Sequence, residues 1–484
     1  MYSRSFMHRS FYSLKLLTFG AVSCLAMACL SSKVIAEQNR PAPQEAESES
    51  AKDKVFNAQE FMLDNGMQVV VIPNHRAPVV THMVWYKTGA AMEPAGKSGI
   101  AHYLEHLMFK GSDVIGAEAL APGEFSKTIR RLGGNDNAFT SQDYTAYFQS
   151  VPVSALEQVM RMEAGRMRGM NPPLEDVKSE LSVIFEERRM RTDNDPQARF
   201  YEQLRAHSYI NHPYGTPIIG WMHEVAGLSW EDAKSYYQKW YAPNNAILVV
   251  SGDVSPAEVL SKAIDIYGKI PAQDLDERQY LTSPPAESQA RLIMKDKAVR
   301  ESALYIMFRV PSAHQDKHKA LALDVFRELM AGGPSAQLYR SIVSDQKLAS
   351  SAGLSYDSTS WSDADITIYA TPLPGVEIEV LEKALLDELR AVVEDGVEAD
   401  DVENAITRLQ EQAIYARDSL SGPAMIIGRA LASGMSLNDV EYWPHDIQNV
   451  TATGIQNVVK EYLDPDTPHE QPPVTGILMP ADKE

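Results

Sequence analysis

Cysteine is almost absent from this chain of 484 residues, since Cys24 and Cys29 are the only two and both lie near the amino terminus. Disulfides and thiolate metal sites are therefore excluded from the rest of the chain. Positive charge is also scarce, because 45 Lys and Arg residues face 65 Asp and Glu residues and leave a net charge of −20. This balance argues against nucleic acid as a partner, since its phosphates would be repelled.

Long apolar runs are missing as well, except for one near the start. Basic residues precede the apolar stretch Leu16 to Leu30, and small residues follow up to Ala36, the order typical of a secretory signal peptide. We therefore expect residues 1–36 to be a signal peptide, cleaved after Ala36, and the protein to be exported to the periplasm. Two alternatives are an uncleaved anchor, for which the run is short, and a lipoprotein acylated at Cys29. No later run approaches spanning length, so we expect no transmembrane segment after leader removal.

The remaining chain is too long for one hydrophobic core, so at least two domains are expected. Residues 37–53 are polar and acidic and are predicted to be disordered. Residues 54–271 form the predicted first domain, which opens with a hairpin at Asn65-Gly66. The segment 272–289 has the charge, proline and serine content of a linker, and residues 290–484 form the predicted second domain.

The two halves contain a repeated segment. HYLEHLMFKG begins at His102, and DVFRELMAGG begins at Asp324; both have Leu-Met at equivalent places and a glycine three residues later. This similarity indicates a divergent duplication. The overlay places His102, Glu105 and His106 opposite Asp324, Arg327 and Glu328. The second domain is therefore predicted to lack the histidines.

The first copy of this segment carries a pattern typical of a metal site. His102 and His106 are four residues apart in a predicted helix, so both side chains lie on one face. Two imidazoles that converge in this way are what zinc requires, and Glu105 lies near the same face as a possible general base for a zinc-bound water. The alternative is that both histidines are packed side chains without a ligand role.

Catalytic zinc needs a third protein ligand, and without cysteine it must be a histidine or a carboxylate. The predicted helix VKSELSVIFEERRMR contains Glu180 and Glu187, which are seven residues apart and share one face. One could bind the metal while the other holds a ligating imidazole. The pattern alone does not choose among Glu180, Glu186 and Glu187. His207 and His212, five residues apart, do not share a helical face, so a loop role is favoured for them.

At this point the sequence resembles a known family. The HYLEH motif and the Glu180…Glu187 pair look like the inverted zinc motif of the pitrilysin/insulinase peptidases, which include the mitochondrial processing peptidase. The segments Asn137 to Thr140 and His212 to Gly215 are similar to that family too. The resemblance implies an α+β fold of two homologous domains, each a mainly antiparallel sheet packed with helices.

The resemblance also implies roles for individual residues. His102, His106 and Glu187 would bind one zinc ion per chain, and Glu105 would be the catalytic base. Glu180 would hydrogen-bond a ligating imidazole, which makes it part of the predicted catalytic site. Asn137 and Ala138 would bind an extended peptide substrate at a sheet edge. The implied activity is that of a zinc-dependent endopeptidase acting on peptides or unfolded segments.

One departure from the family pattern bears on the partner. Self-sufficient members carry an arginine and a tyrosine, seven residues apart, in a later domain, but here Val343 and Ser350 occupy those positions. We therefore expect a heterodimer in which a homologous subunit supplies the pair. The alternative is that this chain acts alone or as a homodimer and uses other donors, such as Tyr144 or Tyr356. Two further hypotheses are a non-catalytic scaffold subunit and a metal-binding chaperone.

Overall fold

The computed structural model describes residues 54–279, 282–286 and 288–481, so the predicted leader and acidic segment lie outside the described residues. Within these ranges the chain forms two main sheets with helices packed against them. This confirms the predicted α+β class with two sheet-containing halves.

The first half builds a mixed but mainly antiparallel sheet. Its strands are β1 (Gln59–Met62), β2 (Gln68–Pro73), β3 (Val79–Tyr86), β4 (Ser112–Val114), β5 (Ala117–Leu120), β6 (Asn135–Thr140), β7 (Thr145–Pro152) and β8 (Ala246–Gly252). Within the described residues, six of these strands form the first sheet in the order β1-β2-β8-β3-β7-β6. The other two, β4 and β5, pair with each other. Strands β1 and β2 are antiparallel and joined by a turn in which Gly66 has a φ of 81°, as the predicted Asn65-Gly66 hairpin requires.

The second half repeats this topology. Its strands are β9 (Ala290–Asp296), β10 (Ala303–Val310), β11 (Ala349–Tyr356), β12 (Ala364–Pro372) and β13 (Val474–Pro480). They form the second sheet in the order β11-β12-β10-β13-β9 among the described residues. In both sheets one parallel pair, β2 with β8 and β9 with β13, adjoins antiparallel neighbours. The order β6-β7-β3-β8-β2 is thus matched strand for strand, as a duplication predicts.

The helices of the first half connect these strands. They are α1 (Ile100–Leu107), α2 (Glu124–Arg131), α3 (Leu156–Gly169), α4 (Leu174–Arg188), α5 (Pro196–Ser208), α6 (Met222–Val225), α7 (Trp230–Trp240) and α8 (Pro256–Ile266). A π-helical turn, Arg189–Asp193, continues α4.

The helices of the second half likewise connect its strands. They are α9 (Lys317–Ala331), α10 (Ile378–Asp395), α11 (Ala399–Asp418), α12 (Gly422–Ala432), α13 (Leu437–Glu441), α14 (Trp443–Asp446) and α15 (Ala452–Tyr462). A second π-helical turn spans Tyr339–Asp345. Of the helices in the described ranges, none combines the length and the apolar character that crossing a membrane requires.

Each half contributes one helix to the sheet of the other half. Helix α12 packs against β3 and β8, on the face of the first sheet opposite α1. Helix α5 packs against β13, where Phe200 and Leu204 join Val474 in one apolar cluster. Gly428 of α12 lies so close to the Trp85 indole that a Cβ atom there would collide with the ring. The two halves are therefore interlocked through buried apolar contacts.

Candidate active site

Helix α1 presents the motif histidines because its other face is apolar. Ile100, Leu104 and Leu107 are fully buried in the core beneath the first sheet, so the side of the helix with His102 and His106 turns toward α4. The helix begins after Gly99, whose φ of 86° is left-handed. A Cβ atom at Gly99 would lie 2.7 Å from the carbonyl oxygen of Ile219, so glycine is needed on both grounds.

Helix α4 lies against α1 and carries the predicted glutamates. The Tyr103 hydroxyl donates to the Val177 carbonyl oxygen at 2.6 Å, a buried bond that fixes one helix relative to the other. Because Glu180 and Glu187 are seven residues apart on α4, both carboxylates face α1. Glu186 points away and has 64% of its side chain exposed.

Three side chains converge between these helices. The Nε2 atoms of His102 and His106 lie 3.6 Å and 3.3 Å from Oε2 of Glu187. Donor atoms of the three residues all lie within 4.8 Å of one another. Tetrahedral ligands that bind zinc at 2.0–2.2 Å lie about 3.4 Å apart, so both nitrogen-to-oxygen distances suit zinc. The arrangement of this donor set, two imidazoles and one carboxylate, therefore fits the ion.

His106 and Glu187 each have a charged neighbour outside the cluster of three side chains. Glu180 accepts from Nδ1 of His106 at 2.9 Å, and its other oxygen lies 2.5 Å from Nζ of Lys110. The outer oxygen of Glu187 lies 2.9 Å from the Arg191 guanidinium, which leaves Oε2 directed at the histidines. Nδ1 of His102 is buried without a hydrogen-bond partner among the described residues, so packing and the contact of Nε2 with Glu187 orient that ring.

The pKa values of the two histidines shift in opposite directions. Burial and the neighbouring His106 lower the pKa of His102 to about 4. Burial also lowers the pKa of His106, but hydrogen bonds to Glu180 and Glu187 outweigh burial and raise it to about 9. The hydrogen bond from His106 holds the pKa of Glu187 below its usual range. Near pH 7 the site therefore presents one neutral imidazole and an ionised carboxylate.

Glu105 lies beside this cluster and contacts strand β6. The Thr140 hydroxyl donates to Oε2 of Glu105 at 2.6 Å, and burial raises the pKa of Glu105. Strand β6 is the outermost strand of the first sheet among the described residues. On it, the Ala138 amide N–H donates to Oδ1 of Asn137 at 2.9 Å.

Known proteins share this chain's sequence and fold. Residues 68–221 match the family described as Insulinase (Peptidase family M16), and residues 227–409 match the description Peptidase M16 inactive domain. The zinc protease PqqE of Helicobacter pylori is 33% identical over 337 residues, which cover 68% of this chain and 73% of that protein. The chain belongs to peptidase family M16.

Other M16 proteins agree with this assignment. An uncharacterized zinc protease of Mycobacterium leprae is 26% identical over 409 residues, covering 83% of this chain and 88% of that protein. The crystal structure of a protease from Helicobacter pylori has a TM-score of 0.79 at 27% identity and covers 87% of this chain and 99% of that one. The periplasmic protease PqqL of Escherichia coli shares the fold, with a TM-score of 0.72 at 20% identity over 88% of this chain and 48% of that one.

The second half of this M16 chain has a different polar cluster at the equivalent place. Asp324 and Glu328 of α9 are buried, where the overlay puts the histidines of α1. Glu328 is ion-paired with Arg408 of α11 at 2.9 Å and with Arg327 at 3.3 Å. An ion-pair cluster thus occupies the interhelical position at which the first half has its imidazoles.

Several contacts of this M16 site were not predicted from the sequence. Lys110 and Arg191 follow His106 and Glu187 by four residues, a spacing that could have suggested both as charged neighbours. The bond between Glu105 and Thr140 spans 35 residues and has no local signal. His207 and His212 make local contacts, to the Gln203 carbonyl oxygen and the Tyr214 amide.

Proposed function

We propose that this chain is a zinc-dependent endopeptidase that cuts peptides or unfolded segments held as an extended strand. The convergence of His102, His106 and Glu187 beside Glu105 is the observation that carries the proposal. Membership of a family whose relatives are named zinc proteases supports it. The second half has no comparable histidine pair on α9, so we place the reaction in the first half.

Each side chain has a proposed role toward the metal. His102, His106 and Glu187 would hold one zinc ion, and Glu180 would orient His106 through the 2.9 Å bond to its Nδ1. Such a carboxylate also keeps a proton on Nδ1, so Nε2 is the nitrogen that would lose its proton to bind the metal. When bound, zinc supplies Lewis-acid polarisation of the scissile carbonyl and of a water molecule.

Glu105 is the proposed proton carrier. Its Oε2 is bonded to Thr140, so Oε1 remains to take a proton from the attacking water. The same carboxyl group would then give that proton to the departing amine, which completes hydrolysis without a net change in the protein. Burial raises the pKa of Glu105, and this makes the carboxylate a stronger base than an exposed glutamate.

The outer edge of β6 is the proposed substrate site. An extended peptide can add to an exposed sheet edge through main-chain hydrogen bonds. The Ala138 N–H is bonded to the Asn137 side chain at 2.9 Å, so an arriving peptide carbonyl could replace that oxygen. The side-chain amide of Asn137 would then be free to form hydrogen bonds with the peptide.

A cleavage assay tests this function. We expect the wild-type protein to cut an extended fluorogenic peptide and to stop when zinc is removed by a chelator. Glu105→Gln should remove cleavage while zinc stays bound, because glutamine cannot accept the proton. Glu186→Gln, an exposed glutamate one residue from the proposed ligand, should behave as wild type. Zinc-loaded protein that never cleaves, with or without a partner, would instead indicate a binding role.

We also propose that a homologous chain completes the active site. Val343 and Ser350 cannot provide the charged and phenolic groups that other family members place there. Tyr356 is buried with its hydroxyl bonded to the Pro311 carbonyl oxygen at 2.8 Å. Tyr144 is buried against Trp85 and Phe139. Neither tyrosine is exposed to a substrate in this conformation.

Mixing the chain with such a partner tests this part of the proposal. Loss of one oxyanion donor typically lowers the rate by about 100- to 1,000-fold. We expect low peptide cleavage from this chain alone and a large increase on adding a homologue that carries the Arg and Tyr pair. Full activity of the isolated chain would show that no partner is needed.

Export to the periplasm remains part of the proposal. It rests on the order of basic, apolar and small residues before Glu37. Mass spectrometry of the native protein should find Glu37 at the amino terminus. An intact Met1 or an acylated Cys29 would contradict it.

A further inference from the structure

Thr140 connects the outermost strand of the first sheet to the zinc-motif helix. Side chains alternate between the two faces of a strand. Phe139 faces the second half, where it packs edge-on against Trp85 at 5.3 Å between ring centroids. Ala138 packs instead into the core that contains α1. Thr140, two residues beyond Ala138, therefore points to the side of α1 and reaches Glu105.

The carboxylate of Glu105 differs from its acidic neighbours in how it is held. Glu180 is fixed by His106 and Lys110, and Glu187 lies between the histidines and Arg191. For Glu105, the structure gives a side-chain hydrogen bond to the Thr140 hydroxyl at 2.6 Å. A hydroxyl donates to an ionised carboxylate, and such charge-assisted bonds are short and strong.

We propose that Thr140 is a positioning residue for Glu105: its hydroxyl holds the carboxylate against the end of the strand along which the substrate pairs. The base and the peptide-binding edge are then parts of one rigid unit. The hydroxyl occupies Oε2, so Oε1 would be the oxygen that accepts the proton of the reacting water. This inference rests on the proposed function, because it assigns Thr140 a part in the same reaction.

The role predicts a specific pattern of kinetic change. Thr140→Val keeps the shape and the strand preference of the side chain but removes the donor. Loss of a hydrogen bond to a charged group should lower kcat by about 10-fold. KM should change by less than about two-fold, because main-chain pairing at the edge is retained. Thr140→Ser, which keeps a hydroxyl, should restore most of the rate.

Crystal structures of the zinc-loaded full-length proteins give a readout that needs neither peptide nor partner. Glu105 should occupy one conformation, bonded to residue 140, in the wild type and in Thr140→Ser. In Thr140→Val the carboxylate should leave that position or occupy several. An unchanged Glu105 in Thr140→Val, or an equal loss of rate in the Val and Ser variants, would overturn the inference.

The two levels of proposal fail separately. A wild-type protein that binds no zinc would contradict the proposed function itself. A wild type that binds zinc and cleaves peptide, with Thr140→Val equal to it in rate, would contradict only the role of Thr140.

Discussion

Glu180 lies between the ammonium group of Lys110 and the half-buried imidazole of His106. The side chain of Glu180 is 7% exposed, and one carboxylate oxygen contacts His106 while the other contacts Lys110. Burial alone would raise the pKa of Glu180, but His106 and Lys110 hold it below the usual range. Glu180 is therefore ionised near pH 7, and its charge increases the donor strength of the His106 ring toward a metal.

Glu180→Gln should weaken zinc binding without removing the ligand set. Glutamine can still accept from His106, but it brings no charge, so we expect the zinc dissociation constant to rise about 10- to 100-fold. Competition with a chromophoric chelator measures this change. Glu186→Gln is the matched control on the same helix, and equal effects of the two substitutions would show that Glu180 has no special role.

Local spacing could predict some of these residues and not others. The four-residue step from His102 to His106 and the seven-residue step from Glu180 to Glu187 fix which side chains share a face, given a helix. The structure brings both pairs together, although their roles toward zinc remain proposals. Thr140 reaches Glu105 only because β6 packs beside α1, and no local pattern contains that contact.

Helix α1 has an unusual amino terminus, which is capped by carboxylates from outside the helix. The two side-chain oxygens of Glu93 accept hydrogen bonds from the backbone N–H groups of Gly99 and Ala101, each at 2.9 Å. Glu224 accepts the Ser98 amide at 2.8 Å. Amides at a helix start lack partners within the helix, and the side-chain oxygens of Glu93 and Glu224 supply acceptors there.

Glu93→Ala should destabilise the region that holds the motif histidines. The two amides would lose their acceptors, which costs about 1–3 kcal/mol for an unsatisfied buried donor. Urea denaturation of the metal-free protein measures the free energy of unfolding. Glu118→Ala, at an exposed glutamate, should change it by less than about 0.5 kcal/mol. Similar values for the two variants would contradict the capping role.

The sequence predicted the existence of α1 and α4 better than their ends. The predicted helix VKSELSVIFEERRMR covers residues 177–191, whereas α4 spans Leu174–Arg188. No Ser, Thr, Asp or Asn side chain caps α1, because Glu93 and Glu224 take that role from a distance along the chain. Such capping depends on tertiary structure and has no local sequence signal.

Helices α5 and α12 each pack on the sheet of the other half, and this exchange of helices joins the two halves. The apolar cluster that includes Trp85 of β3 also contains Ile427 of α12 and most of the second-half core. The face of the first sheet opposite α1 would be exposed if the halves separated. We therefore expect a single unfolding transition rather than one for each half.

Gly428→Ala tests this interlocking. The added Cβ would collide with the Trp85 ring, so α12 must move away from the first sheet or strain its packing. Overpacking of this kind costs about 1–3 kcal/mol. Calorimetry should show a lower Tm with the transition still single. Gly227→Ala, at an exposed position with ordinary contact distance, should leave Tm nearly unchanged; two separated transitions in Gly428→Ala would contradict the cooperative account.

The prediction of two halves joined by a linker says nothing about this exchange. The described part of 272–289 contains no helix or strand, and the repeated strand order agrees with a duplication. The sequence boundary nevertheless assigns α5 to the first domain, although its apolar side chains Phe200 and Leu204 pack on the second sheet. Hydrophobic periodicity shows that a helix face is buried but does not show which sheet covers it.

Zinc content is the measurement that tests the central claim most directly. Metal analysis of purified full-length protein should find about one zinc per chain in the wild type and in Glu105→Gln. Glu187→Gln should retain far less, because it removes the charge of the proposed ligand, whose Oε2 lies 3.6 Å and 3.3 Å from the Nε2 atoms of the two histidines. A wild type without zinc, or a Glu105→Gln protein that loses its metal as readily as Glu187→Gln, would contradict the account.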